Sequence, residues 1–320
     1  MHLELSRRAP GAAMRFDARR GAWWADVAAP AVKRVEYRFS VRTDGGEWQQ
    51  WCDPANPLRA RGPFGERSVL ERPGYQPPAW LADDSPPGTT VDMIVRATAI
   101  GADVPVMVWT SAGHGRGSDL PVIVAHDGIE LAHYADLLRF LATLPPLHAV
   151  LLGPVHRDDE YSASAAYARA LARQILPTVS AHVRIPDDRS RRVGMGVSLG
   201  AVAILHAHRV YPDLFGGMFL QSGSFFQRAT DPQETGFSRF ARISRFVRSV
   251  LVADRFPHPV PVGMTCGAEE NLVNNEAMAA TLAAQGYDVA LAAVADTHTW
   301  VGWRDGFDPH LRSFLAGLWT

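Results

Sequence analysis

The chain has 320 residues, 47% hydrophobic and 20% charged, with a formal net charge of −1. It is long enough to bury one large core and a second, smaller one, and its charges are spread without the like-charge run of a nucleic-acid tract, so no nucleic-acid partner is expected. No apolar run reaches the roughly 18–20 residues that span a bilayer, and residues 1–20 lack the pattern of a secretory leader. A soluble cytoplasmic protein with no membrane partner is expected.

The first hundred or so residues read as all-β. Residues 35–41 alternate apolar and polar at period two, and Trp23, Trp24, Trp48 and Trp51 stand in short runs separated by turn signals such as Asp44-Gly45-Gly46. That pattern predicts a small β-sandwich. Residues 73–88 hold five prolines, which forbid a regular helix or central strand, so this stretch reads as a connector. It divides the chain into a β-sandwich unit, residues 1–85, and a second unit, residues 86–320. Cys52 and Cys266 lie far apart in apolar, strand-like stretches, which predicts buried thiols rather than a disulfide or metal pair.

Beyond the connector, strands alternate with helices. Strands are predicted at 90–100, 104–110, 120–125, 148–153, 192–197, 216–221, 260–266 and 288–294, with helices at 132–144 and 162–179 and after the later strands. This is the signature of a mostly parallel sheet covered on both faces, as in the α/β-hydrolase fold.

Gly196-Val197-Ser198-Leu199-Gly200 matches G-x-S-x-G, the tight turn that lifts a serine hydroxyl between a strand and a helix, and residues 192–195 and 201–208 supply that strand and helix. Ser198 is therefore the candidate nucleophile. Ser222 and Ser224 in Gln221-Ser222-Gly223-Ser224 lack the first glycine of the elbow and read as a loop beside the site. A serine needs a base, and this fold presents serine, acid and histidine in that order. Downstream, His258 precedes a strand, at the wrong edge of a parallel sheet, and His310 lies in the terminal helix. His298 follows the last strand and is the candidate base.

The acid should follow the preceding strand, where Glu269 and Glu270 stand side by side and leave the choice open. Asp296 ranks behind both, being only two positions before the base. The oxyanion of acyl transfer needs two backbone N–H donors, one from Leu199 and one from the loop His126-Asp127-Gly128-Ile129. His206 and His208, two apart on a helix, point to different faces, and no metal-binding spacing occurs, so no metal or cofactor is expected.

Together these residues resemble the enterochelin (ferric enterobactin) esterases, within the esterase-D-like hydrolases. The matching stretches are Asp53-Pro54-Ala55-Asn56-Pro57, Ser68-Val69-Leu70-Glu71-Arg72-Pro73, His126-Asp127-Gly128, Arg157-Asp158-Asp159-Glu160-Tyr161, the serine elbow, Gln221-Ser222-Gly223-Ser224, Gly267-Ala268-Glu269-Glu270 and His298-Thr299-Trp300-Val301-Gly302-Trp303-Arg304. The resemblance implies a Ser198–His298 pair with Glu270 as the acid, and oxyanion donors at Leu199 and Ile129, with Gly128 beside them. It implies a catecholate siderophore ester as substrate, cleaved to release iron in the cytoplasm. An acidic substrate implies arginines at the cleft, for which Arg157, Arg304 and Arg59 or Arg61 are candidates, with Asp127 in the same group. Trp300 and Trp303 stack on substrate rings or pack the terminal helix. Two other readings stand beside this one: an esterase or acyltransferase acting on feruloyl, acetyl or thioester substrates, and a non-catalytic ligand-binding protein.

Overall fold

The computed structural model describes residues 1–5, 11–27, 31–42 and 46–319; Asp44 and Gly45 of the turn signal lie outside them. Eight short strands occupy the amino-terminal part: β1 (His2–Leu5), β2 (Ala12–Ala13), β3 (Arg15–Asp17), β4 (Ala22–Trp24), β5 (Arg34–Val41), β6 (Gln49–Trp51), β7 (Arg59–Ala60) and β8 (Arg67–Glu71). Six form one antiparallel sheet in the order β2-β1-β5-β8-β7, with β6 also on β5, and β3 and β4 make a separate hairpin.

The period of two read from residues 35–41 holds, but the buried face is the polar one. Arg34, Glu36, Arg38 and Ser40 are buried, whereas Tyr37, Phe39 and Val41 are only half-buried. Burying such groups is tolerable because each finds a partner. Arg34 donates to Glu36 at 2.8 Å, and Ser40 bonds Glu4. Arg38 donates to the carbonyls of Glu66 and Phe64 at 2.7 and 2.6 Å and to Gln50 at 2.9 Å. Arg38 thereby fixes the loop before β8.

The second part is an eight-stranded sheet of β9 (Thr89–Ala97), β10 (Ala102–Thr110), β11 (Val122–His126), β12 (His148–Leu152), β13 (Arg192–Val197), β14 (Gly217–Gln221), β15 (Val262–Gly267) and β16 (Val289–Val294). Its order is β16-β15-β14-β13-β11-β12-β10-β9. The strands from β12 to β16 run parallel, and β9 and β10 are antiparallel. Apolar clusters cover both faces, one around Val124, Ile204 and Phe215, the other around Phe140, Met195 and Phe307. This is the α/β-hydrolase architecture, preceded by a β-rich unit.

Four local readings change. The helix expected at 132–144 starts earlier and breaks into Gly128–Tyr134 and Leu137–Ala142, because Asp136 adopts a left-handed conformation (φ 51°) between them. The helix expected at 162–179 runs through a widened turn at Leu171–Ile175, where Pro177 has no N–H to give the preceding turn. The proline-rich connector is more than a tether. It carries the short turn Ala79–Ala82, whose Trp80 is buried against Phe140 and Phe307. Neither cysteine is in a disulfide; Cys266 is buried in β15, but Cys52 is only half-buried just past β6.

Candidate active site

Ser198 sits at the carboxyl end of β13, between that strand and the helix Leu199–Val210, at φ 56° and ψ −117°. A serine at positive φ is strained, and the turn holds it because neighbouring backbone closes in from both sides. A Cβ on Gly196 would lie 2.4 Å from the carbonyl of Gly200, and one on Gly200 would press on His126 Cβ at 3.1 Å. The Ser198 N–H donates to Gln221 O at 2.9 Å, which ties the elbow to β14.

His298 Nε2 stands 3.0 Å from Ser198 Oγ, and its Nδ1 is 2.5 Å from Glu270 Oε2. The two adjacent glutamates divide their work. Glu270 faces the histidine, while Glu269 turns outward and accepts the backbone N–H of Ala31 at 3.0 Å. Asp296 keeps to its own turn, its Oδ1 accepting the Thr297 N–H at 2.6 Å. Burial works to raise the Glu270 pKa, but His298 and the donors Ser222 and Gly267 N–H outweigh it, so the carboxyl lies below its ordinary value and is charged. Those donors meet Oε1 at 2.7 and 2.6 Å, and Ser222 is itself held by the Trp303 indole N–H at 3.0 Å. Burial pushes Asp296 up to about 7, outweighing the Thr297 N–H and the nearby Arg34, which pull it down.

Leu199 opens one helix, and Gly128 and Ile129 open the helix Gly128–Tyr134 at the end of β11, the strand paired with β13. N–H groups in a helix's first turn have no partner within the helix, and these two helices start at the ends of neighbouring strands. Gly128 is needed there, since a Cβ would come 2.7 Å from Leu151 Cα.

The cleft over Ser198 takes its walls from both parts of the chain: Arg61, Phe64 and Arg67 on one side, Arg157, Trp300 and Trp303 on the other. Arg157 pairs with buried Asp127 through two bonds of 2.7 and 2.6 Å, and although burial opposes its charge, Asp127 keeps its pKa above the ordinary value. Trp303 is buried edge-on against His298, and Trp300 meets Trp303 at 4.9 Å. Two sequence candidates stand elsewhere. Arg304 turns away to Asp305 and the Tyr75 hydroxyl, at 2.8 and 3.0 Å, and Arg59 is spent on the carbonyls of Asp53, Asn56 and Leu58.

Arg67 and Phe64 line the cleft without having been singled out from sequence. Arg67 is one arginine among many, and Phe64, 85% exposed, lies in a stretch with no regular pattern. Burial and neighbouring Arg38 lower the Arg67 pKa, and its Nη1 is buried without a hydrogen-bond partner. Ser222 could have been found by asking why a serine-rich loop follows β14. Among the described residues, no group of three or more His, Cys, Asp or Glu is arranged to hold a metal ion, and no helix is long and apolar enough to cross a membrane.

The family model described as "Putative esterase" matches residues 153–314, just over half of the chain. An iron(III) enterobactin esterase of Escherichia coli O6:H1 is 28% identical over 62% of this chain and 52% of its own length. One of Dickeya dadantii is 25% identical over 85% of this chain and 68% of its own. The chain thus spans about half the length of the Escherichia coli relative. The crystal structure of the Shigella flexneri enterobactin esterase, obtained in the presence of 2,3-di-hydroxy-N-benzoyl-glycine, superposes with a TM-score of 0.76 at 21% identity. That match covers 100% of this chain and 89% of the other, and it carries the fold.

Proposed function

Since the chain belongs to the esterase family whose model spans its residues 153–314, we propose that it hydrolyses carboxylic esters of catecholate siderophores, in the cytoplasm, with Ser198, His298 and Glu270 as its catalytic residues. The observation that carries this reading is the unbroken contact from Ser198 Oγ through His298 to Glu270, at 3.0 and 2.5 Å. Ser198 Oγ attacks the ester carbon as its proton passes to His298 Nε2, and the carbonyl electron pair moves onto oxygen. The N–H groups of Leu199 and Ile129, with Gly128 beside them, receive that negative charge. The carbon–oxygen bond to the alcohol then breaks while His298 returns the proton to it, and water repeats the sequence on the acyl-enzyme. Glu270 stays ionised throughout, holding Nδ1–H and stabilising the imidazolium.

The substrate class rests on the relatives and on the cleft. Arg61, Arg67 and Arg157 stand beside Phe64, Trp300 and Trp303, a combination suited to aromatic rings bearing acidic oxygens. Iron enters this scheme as part of the substrate. The amino-terminal unit, which we delimit at residues 1–85 against a hydrolase of residues 86–320, supplies half of that cleft.

Mass spectrometry of products from iron-loaded and iron-free catecholate siderophores, run beside feruloyl, acetyl and thioester substrates, tests the reading. Fragments of the siderophore lactone are expected. Turnover confined to the other esters would leave the hydrolase and remove the siderophore, and no turnover of even a p-nitrophenyl ester would return the chain to a binding protein.

A further inference from the structure

The loop after β14 brings a second hydroxyl to the nucleophile: Ser224 Oγ lies 3.1 Å from Ser198 Oγ, and both side chains are buried. Which oxygen donates follows from the groups around them. Glu270 is charged and accepts the Nδ1–H of His298, so Nε2, when it acts as the base, carries no proton. The single Ser198 proton goes to Nε2, and the hydrogen bond between the serines can be made only by the Ser224 O–H. We propose that Ser224 is a further catalytic residue, a fixed donor to the nucleophile oxygen. This rests on the assignment of Ser198 as nucleophile.

The bond gains strength where the chemistry needs it. As the proton leaves Ser198 and Oγ attacks, Oγ carries its greatest negative charge, and a donated hydrogen bond to a charged oxygen outweighs one to a neutral hydroxyl. The same charge returns when the acyl-enzyme breaks down and Oγ is the leaving group, before His298 reprotonates it. Once acylated, Oγ is an ester oxygen and a poor acceptor. The interaction therefore favours the transition states over the acyl-enzyme between them. The Ser224 proton stays on Ser224 throughout.

The loop is built to hold this hydroxyl in place. Ser222 sits at φ 49°, its N–H on Thr265 O at 2.7 Å. Gly223 is gripped by Asn275, which accepts its N–H at 3.0 Å and donates to its carbonyl at 3.1 Å. The Ser224 N–H reaches Ser198 O at 3.1 Å, so backbone and side chain of Ser224 both address the nucleophile residue.

The test compares wild type, Ser224→Ala and Ser224→Cys by the rate of fluorophosphonate labelling at Ser198 and by kcat and KM for p-nitrophenyl acetate. Alanine should lower the labelling rate and kcat by about 10- to 100-fold, the range for a hydrogen bond to a group that becomes charged, with KM little changed. Cysteine fills the same space with a weak donor and should stay low; it also serves as the test if the alanine variant does not fold. Recovery of wild-type rates by cysteine would make Ser224 a packing residue and overturn the proposal, as would unchanged labelling of either variant. Wild type that labels elsewhere than Ser198 would remove the nucleophile assignment and this proposal with it, whereas siderophores failing as substrates would leave both measurements intact.

Discussion

The central strands of the two sheets bury different mixtures of side chain. β11 to β15 are apolar on both faces and sealed by helices, so their carboxyl ends are rigid points from which Ser198 and the loop carrying Glu270 project. β5, at the centre of the amino-terminal sheet, instead buries Arg34, Glu36 and Arg38 along with Val35, and leaves Tyr37, Phe39 and Val41 half-exposed. Apolar burial stabilises without specifying direction, whereas a buried arginine has to be met by acceptors at set positions. The eight-stranded sheet thus supplies a platform. The amino-terminal sheet supplies a brace, with Arg38 pinning the loop that carries Phe64 and with Glu36 lining the cleft. The two parts meet at the loops that carry Glu270 and His298, where Lys33 N–H bonds Ala295 O at 3.1 Å and Ala31 N–H bonds Glu269.

If the platform alone carries the chemistry, the largest losses come from its strand ends. Ser198→Ala should abolish turnover with the fold retained, and His298→Ala should lower kcat by about 10⁴-fold, since general base and proton return disappear together. Labelling of Ser198 by a fluorophosphonate, followed by peptide mapping, checks the first assignment. A reactive serine at 222 or 224 would move the nucleophile to the neighbouring loop.

The adjacent glutamates sharpen the comparison, because one serves the platform and the other the junction. Glu270→Gln replaces a charged acceptor that holds Nδ1–H and should cost about 10²-fold or more in kcat. Glu269→Gln keeps an acceptor for Ala31 at an exposed bond and should cost less than about threefold. A reversed ranking in steady-state kinetics would make Glu269 the acid.

How much of this was legible in the sequence follows the same division. Alternating strands and helices, the serine elbow and the placement of His298 beside it could be read because parallel strands buried on both faces are continuous apolar runs and the elbow imposes its glycines. The choice between Glu269 and Glu270 could not be made from residues alone, since it depends on which way each side chain leaves a loop. In the amino-terminal sheet the period of two was visible but the inward face was not, because hydrophobicity points to Tyr37 and Phe39 while hydrogen bonding buries Arg38 and Glu36. Arg59, Arg61, Arg67 and Arg304 look alike in sequence. Only their partners separate a cleft arginine from a structural one.

Asp296 tests the junction from the hydrolase side. Its folded pKa is raised to about 7 by burial, above the ordinary carboxylate value, so between about pH 4 and 7 the folded state holds a proton that the unfolded state has released. Its contribution to stability is therefore present at low pH and is lost as pH rises through that window, levelling off above it. Chemical denaturation across pH should show the difference between wild type and Asp296→Asn shifting against wild type by a few kcal/mol from pH 4 to pH 8. A difference independent of pH would mean that Asp296 is ionised in the folded protein.

The smallest effect belongs to the cleft's amino-terminal wall, and it separates two arginines that are two residues apart. Arg61 lines the cleft, and its nearest ion-pair partner, Glu66, is 3.6 Å away with both groups largely exposed, so its charge is available to a ligand. Arg59 gives its guanidinium to three backbone carbonyls and is outside the cleft lining. If the amino-terminal unit contributes to recognition through charge, Arg61→Ala should raise KM for an acidic siderophore ester by about 3- to 10-fold, the worth of one partly exposed ionic contact. It should leave p-nitrophenyl acetate untouched, since that ester reaches Ser198 without spanning the cleft. Arg59→Ala should lower the thermal midpoint by loosening the Asp53–Leu58 turn and leave the KM ratio of the two substrates as it was. Equal changes on both substrates for Arg61→Ala, or a siderophore-specific change for Arg59→Ala, would mean that this wall acts on the cleft through its shape and not through the charge of Arg61.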